Sequence, residues 1–338
     1  MADSKTNTVL EVRGLSIDYP IAIGNVQAVR DVSFTLSDGE VLGIVGESGC
    51  GKSTMGLAIM NLLRDPGKIV GGQILYHGKD VVTMGQSELR AMRGRDIAMV
   101  FQNPLTSLNP LMKIQDHFVE TIKYHKPEIK KAEALKLTGD LLEDLGIDRK
   151  RMREYPHQMS GGMRQRIMIA LGLIMKPDVI ICDEPTTSLD VIVEAGFVDL
   201  LNRLRKTFDL SIILITHNLG LVAEIADRIV VMYGGKVMED SPAALLFHKP
   251  MHPYARGLIE CVPNIDLDQE KLTTMDGAPP DLVNPPVGCR FAARCPKAFN
   301  LCRQEEPPLR EFAVETADGT APTGTVRRCA CWLFPEEA

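Results

Sequence analysis

The chain has 338 residues, 45% of them hydrophobic and 24% charged, enough to bury one large core and leave room for a smaller module. Its 38 basic and 44 acidic side chains are spread along the whole length and sum to a formal charge of -6, which argues against nucleic acid as a partner. The start, MADSKTNTVL, has no basic stretch followed by an apolar core, and apolar runs such as Ile167 to Met175 fall short of a membrane span, so a cytosolic chain that does not itself cross a bilayer is expected.

From Val9 to Leu36, LEVRGLSIDY and then AVRDVSFTL alternate apolar and polar residues, predicting a small antiparallel sheet. EVLGIVG, Glu40 to Gly46, reads as a buried strand that runs into a glycine-rich loop, and STMGLAIMNLL after Lys52 has helical spacing. A second sheet segment, GGQILYHGKDV, and the strand-like DIAMVFQNP precede a charged helical stretch, read as an inserted helical subdomain at about 103–160. DVIICDEP and LSIILITH are apolar, β-rich runs separated by a helical pattern, as in a parallel sheet with crossovers. IVVMYGGKVMED predicts a hairpin turning on Gly234 and Gly235. From Ser241 the composition shifts to Pro-rich turns, a cysteine cluster and the low-complexity ETADGTAPTG, which marks 241–338 as a separate module. The order of elements predicts an α/β fold.

GESGCGKST, Gly46 to Thr54, fits the phosphate-loop pattern, in which glycines let backbone N–H groups wrap an anion at a helix N-terminus. Gly46, Gly49 and Gly51 permit the tight curve, with Glu47, Ser48 and Cys50 between them. Lys52 suits the β and γ phosphates, Ser53 offers a hydroxyl to Mg²⁺, and Thr54 supports the phosphate contacts. Four apolar residues, Val179 to Cys182, carry Asp183 and Glu184 to the end of a buried strand, where Asp183 suits the Mg²⁺ shell and Glu184 suits a general base acting on water. Between these two motifs lies SGGMRQR, Ser160 to Arg166, a serine–glycine–glycine turn opening a helix.

Eight cysteines in a cytosolic chain of this size point away from structural disulfides. Cys289, Cys295 and Cys302 fall close together, and Cys329 and Cys331 return near the end in RRCACW. Three readings stay open on spacing alone. Zinc is the usual occupant of a four-thiolate structural site, but the gaps of five and six residues are wider than its usual pairs. An iron–sulfur cluster accepts more widely spread ligands, and unligated thiols are the third reading.

Taken together, GESGCGKST, SGGMRQR and ICDEP resemble the ATP-binding subunit of an ABC transporter. The resemblance implies a P-loop ABC ATPase core at 8–240, with an antiparallel β subdomain and an inserted helical subdomain, followed by the small Cys-rich module. It further implies that Ser160, Gly161 and Gly162 bind the γ phosphate of an ATP held by a partner subunit. Gln102 matches the residue that touches Mg²⁺ and the attacking water, His217 the switch histidine at the γ phosphate, and Ser188, Leu189 and Asp190 the loop that couples two ATP sites. Tyr19 matches the aromatic that stacks on adenine, although a lone strand aromatic is as often core.

VFQNPLTSLNP, SGGMRQRIMIAL, THNLGLVAE and HKPMHPYARGLIECVP are similar to the di- and oligopeptide (and nickel) importer ATPases, most like the subunit lettered D. Met163 stands where the wider family has glutamine, a change that occurs within this branch. The branch implies a 4Fe-4S cluster in the tail, favoured here over zinc, held by Cys289, Cys295, Cys302 and Cys331; Cys331 matches the family position better than Cys329. ATP and Mg²⁺ are the other implied cofactors. The implied partners are a homologous second ATPase, two transmembrane permeases and, indirectly, an extracytoplasmic substrate-binding protein, with the chain peripheral on the cytoplasmic face of the inner membrane. The alternatives are the same machine carrying nickel, sugars or opines, and a soluble non-transport ATPase of the superfamily.

Overall fold

The alternating N-terminal pattern forms two long strands in the computed structural model of the chain, which describes residues 7–102, 107–186, 191–261, 275–313 and 326–334. In chain order the strands are β1 (Thr8–Ile21), β2 (Gly24–Ser37), β3 (Val41–Val45), β4 (Lys68–Tyr76), β5 (Lys79–Asp80), β6 (Ile97–Val100), β7 (Val179–Asp183), β8 (Ser211–Thr216), β9 (Arg228–Tyr233), β10 (Lys236–Pro242), β11 (Arg310–Ala313) and β12 (Val326–Cys329). The helices are α1 (Lys52–Ile59), α2 (Gln86–Met92), α3 (Ile114–His125), α4 (Lys131–Asp144), α5 (Gly161–Leu173), α6 (Val191–Phe208), α7 (Leu219–Ile225), α8 (Ala243–His248), α9 (Pro253–Glu260) and α10 (Asn300–Gln304). Two compact units divide them: a loop unit holding Leu10–Leu36, Glu40–Val82 and the chain from Thr216 onward, and a helical unit holding Thr83–Ile215 with short N-terminal pieces.

In the loop unit, β2, β1, β4 and β5 form a four-stranded sheet in that order, with β1 and β4 antiparallel from Leu10 opposite Tyr76 to Asp18 opposite Lys68. Every residue of β3 is buried, as its unbroken apolar run demands, and it lies parallel to β9 with Leu42 opposite Arg228. β9 turns back into β10 through Gly234 and Gly235, whose φ values of 54° and 83° are the left-handed conformations that a two-residue hairpin requires. The predicted hairpin is therefore present. β10 pairs with β12, and β12 with β11, so the chain beyond 241 adds two strands to this sheet.

The helical unit is built on parallel β6, β7 and β8, with Ile97 opposite Val179 and Val179 opposite Ser211, the parallel arrangement expected from two apolar runs joined by a helix. α3 buries Ile114, Phe118 and Ile122, spaced four apart on one face. Ile122 meets Ala134 of α4 and Met175 in one apolar cluster. Short 3-10 turns at Arg149–Arg153 and Pro156–Gln158 lead into α5. Among the described residues, no helix is long and apolar enough to cross a membrane.

Candidate functional site

In the loop unit, β3 delivers the chain directly into the glycine loop. Gly46 has φ 152° and Gly51 has φ 99°, and a Cβ on either would collide with a backbone carbonyl, Met232 O in the first case and Ala28 O in the second. Gly49, at φ 79°, has nothing within 4 Å of an added Cβ, so the loop leaves open space there. Lys52 is buried as the first residue of α1, and its Nζ donates to Gly46 O at 2.7 Å and Glu47 O at 3.0 Å. The ammonium therefore closes the loop on itself at the N-terminus of a helix, where free N–H groups favour an anion. Behind the loop, Gly235 N–H donates to Cys50 O at 3.1 Å. Ser53 and Thr54 are half-buried in the first turn of α1, while Ser48 and Gly49 are exposed.

Tyr19 lies on β1, half-buried, with its ring so close to Gly67 that a Cβ there would come within 2.6 Å of Tyr19 Cε1. His217 is exposed and opens the turn into α7, whose N-terminus Asn218 caps by accepting from Gly220 N–H at 3.0 Å and Leu221 N–H at 3.3 Å.

In the helical unit, Ser160 caps α5, its hydroxyl accepting from Met163 N–H at 3.3 Å. Ser160 and Gly161 are exposed and Gly162 is half-buried, so the helix start lies at the surface. Asp183 ends β7 and Glu184 follows it, both buried. Glu184 has φ 46°, a left-handed conformation that side chains disfavour, and its N–H donates to Ile215 O at 2.8 Å. Gln102 is exposed just beyond β6. Ser188, Leu189 and Asp190 lie outside the described residues.

Two contacts carry no sequence signal. Gln165 of α5 is buried, and its amide donates to Pro185 O, which ties the helix that begins at Ser160 to the turn that follows Glu184. Thr186 Oγ1 donates to Glu194 Oε1 at 3.0 Å and holds the same turn from α6. Motif matching passes over Gln165 because one glutamine between Arg164 and Arg166 reads as a solvated side chain.

The cysteine expectation is overturned. Cys289, Cys295, Cys302 and Cys331 line one small cavity whose other walls include His252, Phe291, Trp332 and Leu333. Yet among the described residues no group of three or more His, Cys, Asp or Glu side chains is placed to hold a metal ion, so neither the 4Fe-4S cluster nor its zinc alternative, nor the metal-binding character drawn from them, stands. Burial pushes the Cys289 thiol up to about 11 and raises Cys295 and Cys331, which favours the protonated thiol over the ligating thiolate. Cys329, the alternative fourth ligand, is fully buried on β12, its thiol also raised by burial. These cysteines are free thiols packed as small apolar side chains.

A family described as ABC transporter matches residues 29–187, and one described as the oligopeptide/dipeptide transporter C-terminal region matches 238–302. The dipeptide transport ATP-binding protein DppD of Bacillus subtilis is 47% identical over 88% of this chain and 90% of its own length. The oligopeptide transport ATP-binding protein OppD of Salmonella typhimurium is 44% identical over 92% of this chain and 93% of its own. Among solved structures, a dimeric ATP-binding cassette in a post-hydrolysis state with ADP and Pi aligns with TM-score 0.63 and 25% identity, covering 69% of this chain and 98% of that one. With the strand–loop–helix at Lys52, the Ser160 helix start and the acidic end of β7, these likenesses establish that the chain belongs to the ATP-binding subunits of ABC-type peptide importers.

Proposed function

We propose that this subunit binds ATP with Mg²⁺ and hydrolyses it to drive uptake of di- or oligopeptides through two transmembrane permeases. The observation that carries the reading is the glycine loop, open at Gly49 and closed by Lys52 at a helix N-terminus, which suits a polyphosphate. The P-loop residues from Gly46 to Thr54 cradle the phosphates, and Tyr19 supplies an aromatic face for adenine. Ser53, Gln102 and Asp183 offer hydroxyl, amide and carboxylate oxygens, a donor set that suits Mg²⁺. When bound, Mg²⁺ neutralises charge on the phosphate oxygens. Glu184 is the general base for the attacking water, and His217 senses the γ phosphate.

Ser160, Gly161 and Gly162 serve the ATP of a homologous second ATPase, and their exposure suits that role. The segment 188–190 couples the two sites. Binding of ATP closes the pair and hydrolysis reopens it, a cycle that alternates the permeases between two states. The subunit sits peripherally on the cytoplasmic face, with an extracytoplasmic binding protein selecting the cargo. We divide the chain at about 240 into an ATPase domain with its helical subdomain near 103–160 and a C-terminal module.

The test is reconstitution. Assembled in vesicles with its permeases, partner ATPase and binding protein, the subunit supports ATP-dependent accumulation of a labelled peptide. Hydrolysis without movement of di- or oligopeptides would overturn the cargo, and a complete complex without ATP hydrolysis would overturn the whole reading.

A further inference from the structure

Three groups of one phosphate-loop residue, Glu47, are engaged at once. Its carbonyl accepts from Lys52 Nζ at 3.0 Å. Its N–H donates to the hydroxyl of Tyr254 at 2.9 Å, and Tyr254 is fully buried on α9. Its carboxylate Oε2 accepts from Arg294 Nη1 at 2.8 Å, with the two side chains 24% and 6% exposed. Tyr254 and Arg294 both belong to the module beyond 241, so residues more than 200 positions away hold the loop by main chain and side chain together.

Arg294 is itself anchored before it meets Glu47. Its Nε donates to Asp276 O at 2.9 Å, Nη2 to Met275 O at 3.3 Å and Nη1 to Tyr233 Oη at 3.2 Å, and the guanidinium lies 5.6 Å from the Tyr233 ring centroid. Tyr233, Tyr254 and Phe291 pack ring against ring at 4.6 to 5.3 Å beneath it. A planar fork fixed in this way is preorganised for a carboxylate. A free carboxylate in a loop built for a polyphosphate would repel its ligand, and a Glu47 side chain able to swing toward the open space at Gly49 would compete for the same N–H groups.

We propose that Arg294 is a positioning residue for ATP binding: it neutralises Glu47 and holds the glutamate aside, so that the phosphate loop is preformed for an anionic ligand. This rests on the ATP-binding reading, and the C-terminal module thereby sets the affinity of a site whose motif lies in the ATPase domain.

The test is a double-mutant cycle on the full-length chain, read by ATP displacement of a fluorescent ATP analogue and by the KM and kcat of the assembled complex. Arg294→Met binds ATP about tenfold more weakly, the loss expected for one charge-assisted hydrogen bond, with KM raised and kcat little changed. In the Glu47→Gln background the same substitution changes affinity by less than about twofold, because no charge remains to be neutralised. A folded Arg294→Met with wild-type affinity overturns the proposal, and so does an equal loss in the Glu47→Gln background, which marks a general packing defect. Should Arg294→Met not fold, Arg294→Gln takes its place with the same two outcomes. Wild-type chain that fails to bind ATP at all is a different result and removes the ATP-binding reading itself.

Discussion

Glu184 shows what one residue reveals in a sequence and what it hides. Its charge at the end of an apolar run marks it at once, because a buried strand rarely ends in two carboxylates without a use for them. Its left-handed backbone, φ 46°, has no such mark, since only the surrounding turn imposes it. Replacing Glu184 by Gln keeps the side chain's size and removes the carboxylate proposed as the base; the expected outcome is that phosphate release by the assembled complex falls by about 10²- to 10⁴-fold, while ATP still binds. Gln165 is the opposite case, silent in sequence and central in structure. Gln165→Leu leaves the Pro185 carbonyl without its donor and lowers stability by about 1–3 kcal/mol in urea titration, with reduced hydrolysis as the turn after Glu184 loosens.

At the scale of elements, local patterns were legible and long-range closures were not. β3, the glycine loop and α1 follow from an apolar run, spaced glycines and a helical period, and the β9–β10 hairpin follows from two adjacent glycines. The pairing of β10 with β12 has no such periodic signature. It is fastened by Glu239, fully buried on β10, which accepts from Arg327 Nη2 at 2.8 Å, His252 N–H at 2.7 Å and Met251 N–H at 3.0 Å. Arg327→Met leaves that buried carboxylate with its two main-chain donors and no cation, and chemical denaturation registers a loss of about 3–5 kcal/mol. The cysteine spacing misled for a related reason: spacing counts residues along the chain, whereas ligation needs thiolates at fixed distances, and here the thiols line an apolar cavity beside Phe291 and Leu333.

His252 gives the same module a pH dependence. Its Nδ1 accepts from Tyr254 N–H at 3.0 Å, and burial lowers its imidazole from 6.5 to about 3. Above pH 6.5 both folded and unfolded chains keep it neutral and the full stability is present. As pH falls from 6.5 toward 3 the unfolded chain takes a proton that the fold refuses, so stability declines by about 1.4 kcal/mol per pH unit from this group. His252→Asn retains an acceptor for the α9 N-terminus without the titration, and thermal melts across that window show a shallower slope than wild type.

For the molecule as a whole, the proposal assigns the phosphate loop to this chain's own ATP and the exposed start of α5 to a partner's. Ser160→Arg places bulk and a cation on that start. In the assembled transporter it abolishes cooperative hydrolysis, and the isolated chain still binds ATP; strong loss of binding by the isolated chain would place Ser160 in its own site instead. The fold class and the ATPase motifs were readable because each is carried by a short contiguous string. The hold on Glu47 was not, because it joins residues 247 positions apart.

That separation has a consequence for synthesis. The ribosome makes the glycine loop early and Arg294 late, and at 5–20 residues per second the interval is roughly 10–50 s. Until Tyr254 is made, 207 positions after Glu47, the nascent loop has neither its tyrosine hydroxyl nor its guanidinium, and until Arg294 follows it still lacks the guanidinium. Both braces therefore arrive long after the loop itself, so a chain broken off before Tyr254 retains the whole glycine-rich motif while lacking the two contacts that hold Glu47.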